Sequence, residues 1–295
     1  MVKRLKFRDR LHEEKFIIFD GAMGTELARR GLETGGELNL TAAEDVFDFH
    51  REYAAIGVDC LTTNTFTMNR IYLESHNLKT DFLLANRAGV ELALRAKRPG
   101  QYVIGDLGPT GRLLQPYGEY LEEQFIDNYR EQAEVLVQAG VDGLIIETMT
   151  DLREALCALQ GCRKATALPV IVTMSFSTLD KGGRTIMGSS VTDIAHVLES
   201  NGADALGANC GDLTPLEMAE LVIVFKQHTA LPVLVQPNAG LPKLIEGKTV
   251  YDMSPADFAS GVEHCCKNGA LLVGGCCGTT IEHMNTLIKH LRPAG

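Results

Sequence analysis

Residues 102–148, YVIGDLGPTGRLLQPYGEYLEEQFIDNYREQAEVLVQAGVDGLIIET, contain the unit from which the fold follows. The stretch opens on a short β-branched run, Tyr102 to Leu107, passes into a segment of helical periodicity, Leu121 to Ala139, and closes on a second apolar run, Gly143 to Thr148. In the middle segment Phe125, Tyr129, Ala133, Leu136 and Val137 recur at three- and four-residue spacing, which puts them on one face of a helix. The flanking runs are too continuously apolar for strands with a wet face. They read as strands covered on both sides, as in parallel sheets with helical crossovers.

The same unit repeats outward in both directions. Further strand-like runs lie at Phe16 to Ala22, Val58 to Asn64, Pro169 to Ser175, Ala205 to Cys210, Pro232 to Asn238 and Leu271 to Cys276, with helical segments between them and a last one near Ile281 to Leu291. Eight alternating units in 295 residues predict an α/β fold, a (β/α)8 TIM barrel, with residues 1–295 as a single domain. An open Rossmann-type sheet would need a glycine fingerprint entering its first helix, and DGAMGTEL (residues 20–27) supplies only Gly21 and Gly24. The longest irregular insert, Asp180 to Gly188, is expected to form a hairpin over the barrel mouth.

Charge and composition narrow the function classes. A net charge of −10 repels phosphate backbones, and no basic stripe interleaved with aromatics offsets it, so nucleic acid is not an expected partner. No apolar run approaches the roughly 18–20 residues of a membrane span, and the charged amino end lacks a secretory core, so the expected location is cytoplasmic. Eight cysteines in a reducing compartment are not a disulfide framework, and each is to be weighed as filler, metal ligand or nucleophile.

Barrel active sites gather where strands end. Cys210 ends the sixth strand in GANCG, and Cys276 with Cys277 ends the eighth in GGCCGT. Adjacent residues of a regular strand face opposite ways, so both can turn inward only if Gly274, Gly275 and Gly278 allow unusual backbone angles and close packing. Three thiolates around Zn²⁺ leave one position for an exchangeable ligand, the mark of a catalytic site. The competing readings are core filling and a vicinal disulfide at 276 and 277. Cys60, Cys157, Cys162, Cys265 and Cys266 lie within a strand or helices and read as small apolar filler. The eight histidines form no HExxH or HxH pair, Arg184 reads as a solvated loop residue, and Asp106 divides between a turn role and a substrate contact.

With those residues in view, DGAMGTEL, ELNLTA (37–42), TNTF (63–66), GDLGPT around Asp106, ET at Glu147, GANC, PNAGLP at Asn238 and GGCCGT together resemble the homocysteine S-methyltransferase family, in order, from about residue 16 to residue 290. The middle of the chain most resembles the amino-terminal homocysteine-binding module of cobalamin-dependent methionine synthase. The resemblance implies a barrel, a zinc ion held by Cys210, Cys276 and Cys277, homocysteine as methyl acceptor, and Asn238 at the fourth zinc position when substrate is absent. Betaine-dependent relatives carry Tyr after the strand-four Glu, where this chain has Thr148, which argues against betaine as donor.

Zinc coordination would deprotonate a thiol whose free pKa is near 8.5, so no separate general base is expected. Asp20 and Glu147 are the expected acceptors for the substrate ammonium; an ion pair, or a helix cap for Asp20, is the structural alternative. Backbone N–H groups at Gly21, Ala22 and Met23, with polar groups at Thr63 and Asn64, are the candidates for its carboxylate. The leading expectation is methyl transfer from methylcobalamin to give methionine. Because the sequence ends at Gly295 without a cobalamin or folate module, a separate corrinoid protein or module and a methyl-donor methyltransferase are the expected partners. A self-contained enzyme using S-methylmethionine or S-adenosylmethionine, and a non-catalytic zinc- or thiol-binding subunit, are the alternatives.

Overall fold

A computed structural model of the chain describes residues 4–245 and 247–293. Eight strands run parallel: β1 (Ile17–Ile18), β2 (Cys60–Thr62), β3 (Tyr102–Leu107), β4 (Gly143–Met149), β5 (Val170–Met174), β6 (Ala205–Asn209), β7 (Val233–Gln236) and β8 (Leu272–Val273). They pair in the order β1-β8-β7-β6-β5-β4-β3-β2. A parallel bridge between Phe19 and Cys60, with Asp59 N donating to Ile18 O at 2.7 Å, joins β1 to β2 and closes the ring. The (β/α)8 barrel read from the sequence is therefore the fold.

Side-chain alternation explains why the strands are apolar throughout. Ile17, Phe19, Cys60, Tyr102, Ile104, Ile145, Ile171, Ala205, Leu234 and Leu272 point inward and fill the barrel as one cluster. Their neighbours Ile18, Leu61, Val103, Leu144, Val172, Leu206, Val235 and Val273 pack outward beneath the helices. The helix Glu122–Ala139 buries Phe125, Tyr129, Ala133 and Leu136, the face its periodicity predicts, and ends where Gly140 takes a left-handed φ of 105°.

The bottom of the barrel holds an element the sequence reading missed. A short helix, Phe7–Leu11, sends Phe7 and Leu11 into the barrel cluster, with the Phe7 ring centred 5.1 Å from that of Tyr102. Arg4 lies over the Tyr102 ring, 4.7 Å from its centre, and pairs with Asp142. The charged composition of this segment hides its one signal, two large apolar residues at i and i+4.

At the opposite end, two hairpins follow barrel strands. Phe176–Thr178 pairs with Arg184–Thr185 after β5, so the expected hairpin is present, though residues 180–188 supply only its turn and returning strand. A second, Lys243–Ile245 with Lys248–Val250, follows β7 and was not anticipated. Among the described residues no helix is long and apolar enough to cross a membrane.

Candidate functional site

The sulfurs of Cys210, Cys276 and Cys277 all lie within 4.8 Å of one another, and among the described residues they are the one group able to hold a metal ion. Cys210 reaches the cluster from just past β6, in a left-handed conformation with φ 55°, and is followed by Gly211 at φ 72°. A Cβ on Gly211 would lie 2.3 Å from Phe176 O, so this turn requires glycine. Cys276 and Cys277 lie past the regular strand pairing of β8, where Cys276 N still donates to Pro237 O at 2.9 Å and the chain then turns at Cys277, which removes the conflict between neighbouring side chains. Of the flanking glycines only Gly278 has a positive φ, 82°. Gly275 serves close packing instead, since a Cβ there would lie 2.6 Å from Thr279 Oγ1. Thr279 fixes the turn by donating to Cys276 O from both N, at 3.1 Å, and Oγ1, at 2.8 Å.

Cys210 Sγ and Cys277 Sγ are 3.9 Å apart. Hydrogen bonds from Cys210 and Cys276, helped by one from Tyr251, hold the Cys277 thiol down to about 3 despite burial. Cys276 is pushed well up by its hydrogen bonds to Cys210 and Cys277 and by burial. The cluster thus gives up a first proton readily and the next reluctantly, as expected of soft ligands crowded together without a cation. The remaining five cysteines are scattered through the barrel interior and the helices, where burial raises their thiols.

The cluster opens on a cavity of about 430 Å³, inside the roughly 300–1,000 Å³ range of small-molecule sites. Gly21, Ala22, Thr63, Asn64, Asp20 and Glu147 all line it, so these sequence-derived candidates are gathered in one place. Asp20 accepts from Thr62 N and Thr62 Oγ1, both at 2.8 Å, and among the described residues it neither pairs with a cation nor caps a helix. Burial nevertheless lifts its carboxyl to about 7. Burial, and then the charge of Asp20, lifts Glu147 to about 8. Asp106, 4% exposed, also lines the cavity; its Oδ1 has no hydrogen-bond partner, and burial followed by the charges of Glu147 and Asp20 raises it well above the carboxylate range. No Lys or Arg lines this space among the described residues. Three buried carboxyls without a cation form a receptor for one.

The donors are more restricted than the sequence suggested. Thr63 Oγ1 accepts from Asp106 N at 3.0 Å and bonds Thr65 Oγ1, which itself donates to Asp106 O. Asn64 Nδ2 donates to Gly35 O and Asn39 Oδ1, at 3.0 and 3.1 Å. Ala22 N donates to Thr279 Oγ1. Asn238, buried in the loop after β7, donates from Nδ2 to Gly211 O at 2.9 Å while its Oδ1 stays unpartnered. That orphaned oxygen beside Gly211, together with three thiols, is a donor set that fits a thiophilic cation.

Sequence reasoning passed over two further residues. Tyr251, returning from the second hairpin, helps to hold the Cys277 thiol down. Asn209 touches Cys276 and Thr148 together. Tyr251 stands in no motif that announces chemistry, and Asn209, although part of GANC, was overlooked beside the louder Cys210.

Residues 17–291 match the family profile described as homocysteine S-methyltransferase. The chain is 32% identical over 292 residues to the methionine synthases of Mycobacterium leprae and Mycobacterium tuberculosis, covering 92% of this chain and 24% of each relative, so it spans about a quarter of their length. Its fold is similar to that of the homocysteine methyltransferase MmuM from Escherichia coli in metallated form, with a TM-score of 0.78, 23% identity, and coverage of 96% of this chain and 99% of that one.

Proposed function

Since the chain belongs to the homocysteine S-methyltransferase family, we propose that it is a zinc-dependent transferase in which homocysteine accepts a methyl group on sulfur to give methionine. The observation that carries this reading is the meeting of three sulfurs with a cation-free, carboxyl-lined cavity in one barrel mouth. Cys210, Cys276 and Cys277 would hold zinc, and the unpartnered Oδ1 of Asn238 suits the position that substrate takes over. Zinc would supply the Lewis acidity that lets an aliphatic thiol ionise at neutral pH.

The rest of the work falls to the chain itself. Asp20 and Glu147 accept the substrate ammonium, with Asp20 already oriented by its two bonds from Thr62. Asp106, whose carboxyl is likewise raised by burial, completes that wall. Backbone N–H groups of Gly21 and Met23 are left for the substrate carboxylate, because the N–H of Ala22 and the side-chain hydrogens of Thr63 and Asn64 are engaged within the protein. Holding both ends of the amino acid fixes the sulfur for in-line attack, and such orientation supplies much of the rate of a two-partner displacement.

The methyl donor in this reading is a methylated corrinoid carried by a separate protein or module. Its support is the 32% identity to methionine synthases and the Thr at position 148. Two measurements test the proposal. Metal analysis is expected to find one zinc per chain, lost in Cys210→Ala; active protein free of zinc overturns it. Single-turnover assays offering methylcobalamin, S-methylmethionine, S-adenosylmethionine and betaine in turn are expected to give methionine from the corrinoid. Rapid turnover with a sulfonium donor alone replaces the corrinoid with the self-contained reading.

A further inference from the structure

Asn209 is the last residue of β6, and it is 1% exposed. A polar amide at that depth needs partners for two lone pairs and two N–H hydrogens, and four are in reach. Its Oδ1 lies 2.8 Å from Thr148 N and 2.7 Å from Thr173 Oγ1. Its Nδ2 lies 2.7 Å from Thr148 Oγ1 and 4.0 Å from Cys276 Sγ. The orientation of the amide follows from chemistry. A backbone N–H only donates, so the atom facing Thr148 N is the oxygen, and the nitrogen is left to face the sulfur.

Thr148 is itself unusual, a β-branched residue with φ 61°, at a point where the register between β4 and β5 shifts. Such a conformation costs about 1–3 kcal/mol and persists where its surroundings enforce it. Two of the bonds from Asn209 do so, and the residue before Thr148 is Glu147. One buried amide therefore grips the backbone next to the ammonium acceptor and also touches a sulfur of the metal cluster.

We propose that Asn209 is a positioning residue that couples the two halves of the site, donating an N–H to the Cys276 sulfur while its other bonds hold Thr148 so that Glu147 faces the cavity. The proposal rests on the zinc and homocysteine reading above. An N–H donated to a metal-bound thiolate lowers the energy of the sulfur lone pair and moderates the electron density passed to the ion. Restraint of Thr148 sets the distance between the ammonium site and the sulfur cluster.

Cobalt-substituted full-length chain separates these roles. Asn209→Asp keeps an acceptor for Thr148 N and Thr173, can take a hydrogen from the Thr148 hydroxyl, and exchanges the donor to sulfur for a carboxylate oxygen, which raises the sulfur lone pair. Its thiolate-to-cobalt charge-transfer band is expected at longer wavelength than in the wild type. Thr148→Val removes the hydroxyl acceptor with little change of shape, and its affinity for homocysteine, followed by titration, is expected to fall about three- to tenfold, the worth of one hydrogen bond. A cobalt-loaded Asn209→Asp with an unshifted band, or Thr148→Val binding homocysteine within twofold of wild type, overturns the proposal. If Asn209→Asp fails to fold or to retain cobalt, Thr148→Val decides alone. A wild-type chain with no thiolate-to-cobalt band refutes the metal-centre reading instead, and the coupling role falls with it.

Discussion

Replacement of Glu147 by Gln tests the substrate site most directly, because two opposing contributions can be sized from the structure. In the empty cavity burial and the neighbouring Asp20 charge lift the Glu147 carboxyl to about 8. At pH 7 roughly nine molecules in ten then carry a proton there, and ionising it to receive an ammonium costs about 1.4 kcal/mol. Removing one partner of a buried ion pair costs about 3–5 kcal/mol. Subtracting the ionisation cost, and the ~0.5–1 kcal/mol that the amide oxygen of Gln recovers as a neutral acceptor, leaves about 1–3 kcal/mol. Homocysteine should therefore bind Glu147→Gln some five- to 150-fold more weakly, by approximate conversion.

The sign of the pH effect follows from the same numbers. A proton on Glu147 competes with the substrate ammonium, so raising the pH removes the competitor. The affinity ratio of wild type to variant should widen up to about tenfold per unit as pH rises toward 8 and then level off. Calorimetric titration of zinc-loaded protein in two buffers of different ionisation enthalpy counts the protons released. At pH 7 the wild type should release close to one more than Glu147→Gln, since the proton lost by the substrate thiol is common to both and cancels. Binding within twofold, or equal proton release, would show that Glu147 does not receive the ammonium.

Further predictions concern stability and the division among the cysteines. In the free chain Asp20, Asp106 and Glu147 all keep protons to higher pH than they would unfolded. Stability of the metal-free, substrate-free protein should then fall as pH rises from about 4 towards 8, and Glu147→Gln should raise the melting temperature near pH 8 but hardly near pH 4, as thermal melts at the two pH values would reveal. Cys60→Ser places a hydroxyl in the barrel interior and should cost about 1–3 kcal/mol in denaturant unfolding while leaving metal content unchanged. Cys276→Ser should do the reverse, releasing the metal with less effect on the apo fold. Phe7→Ala removes a ring packed on Tyr102 at the barrel floor and should cost about 3–5 kcal/mol in the same unfolding assay, with homocysteine affinity unaltered.

What was legible in the sequence was what is local along it. Tyr102–Leu107 and Ile281–Leu291 match the runs read from pattern alone, because apolar continuity and helical spacing are properties of consecutive residues. The shortest strands were overrun for a physical reason. Strand pairing in β1 covers Ile17–Ile18 and in β8 Leu272–Val273, and past those residues single backbone bonds, Gly275 N to Asp20 O and Cys276 N to Pro237 O, carry the chain to the mouth with Asp20, Cys276 and Cys277. Strand pattern continues past that point while strand geometry does not. The plug Phe7–Leu11 was hidden by the opposite imbalance, two buried residues among charged ones whose partners, Asp142 and Asp204, lie far along the chain.

The site was legible to the extent that its residues are chemically loud. Three cysteines among glycines and carboxylates at strand ends attract notice, and the cavity gathers them. Asn209 does not, because beside Cys210 it reads as the polar end of a strand, and its role exists only where β4, β5 and the turn after β8 meet. The same holds for backbone strain. Among the described residues four that are not glycine have positive φ, and two of them, Thr148 and Cys210, line the cavity, the first bonded by the Asn209 amide and the second next to Asn209 in the chain. A glycine would advertise such a turn, whereas Thr and Cys conceal it, since their side chains are needed there and the conformation is held from elsewhere. Strain at Thr148, which the Asn209 amide holds, and at Cys210, which follows Asn209 in the chain, is the arrangement expected if the distance between ammonium and sulfur, rather than either group alone, is what the barrel mouth was shaped to fix.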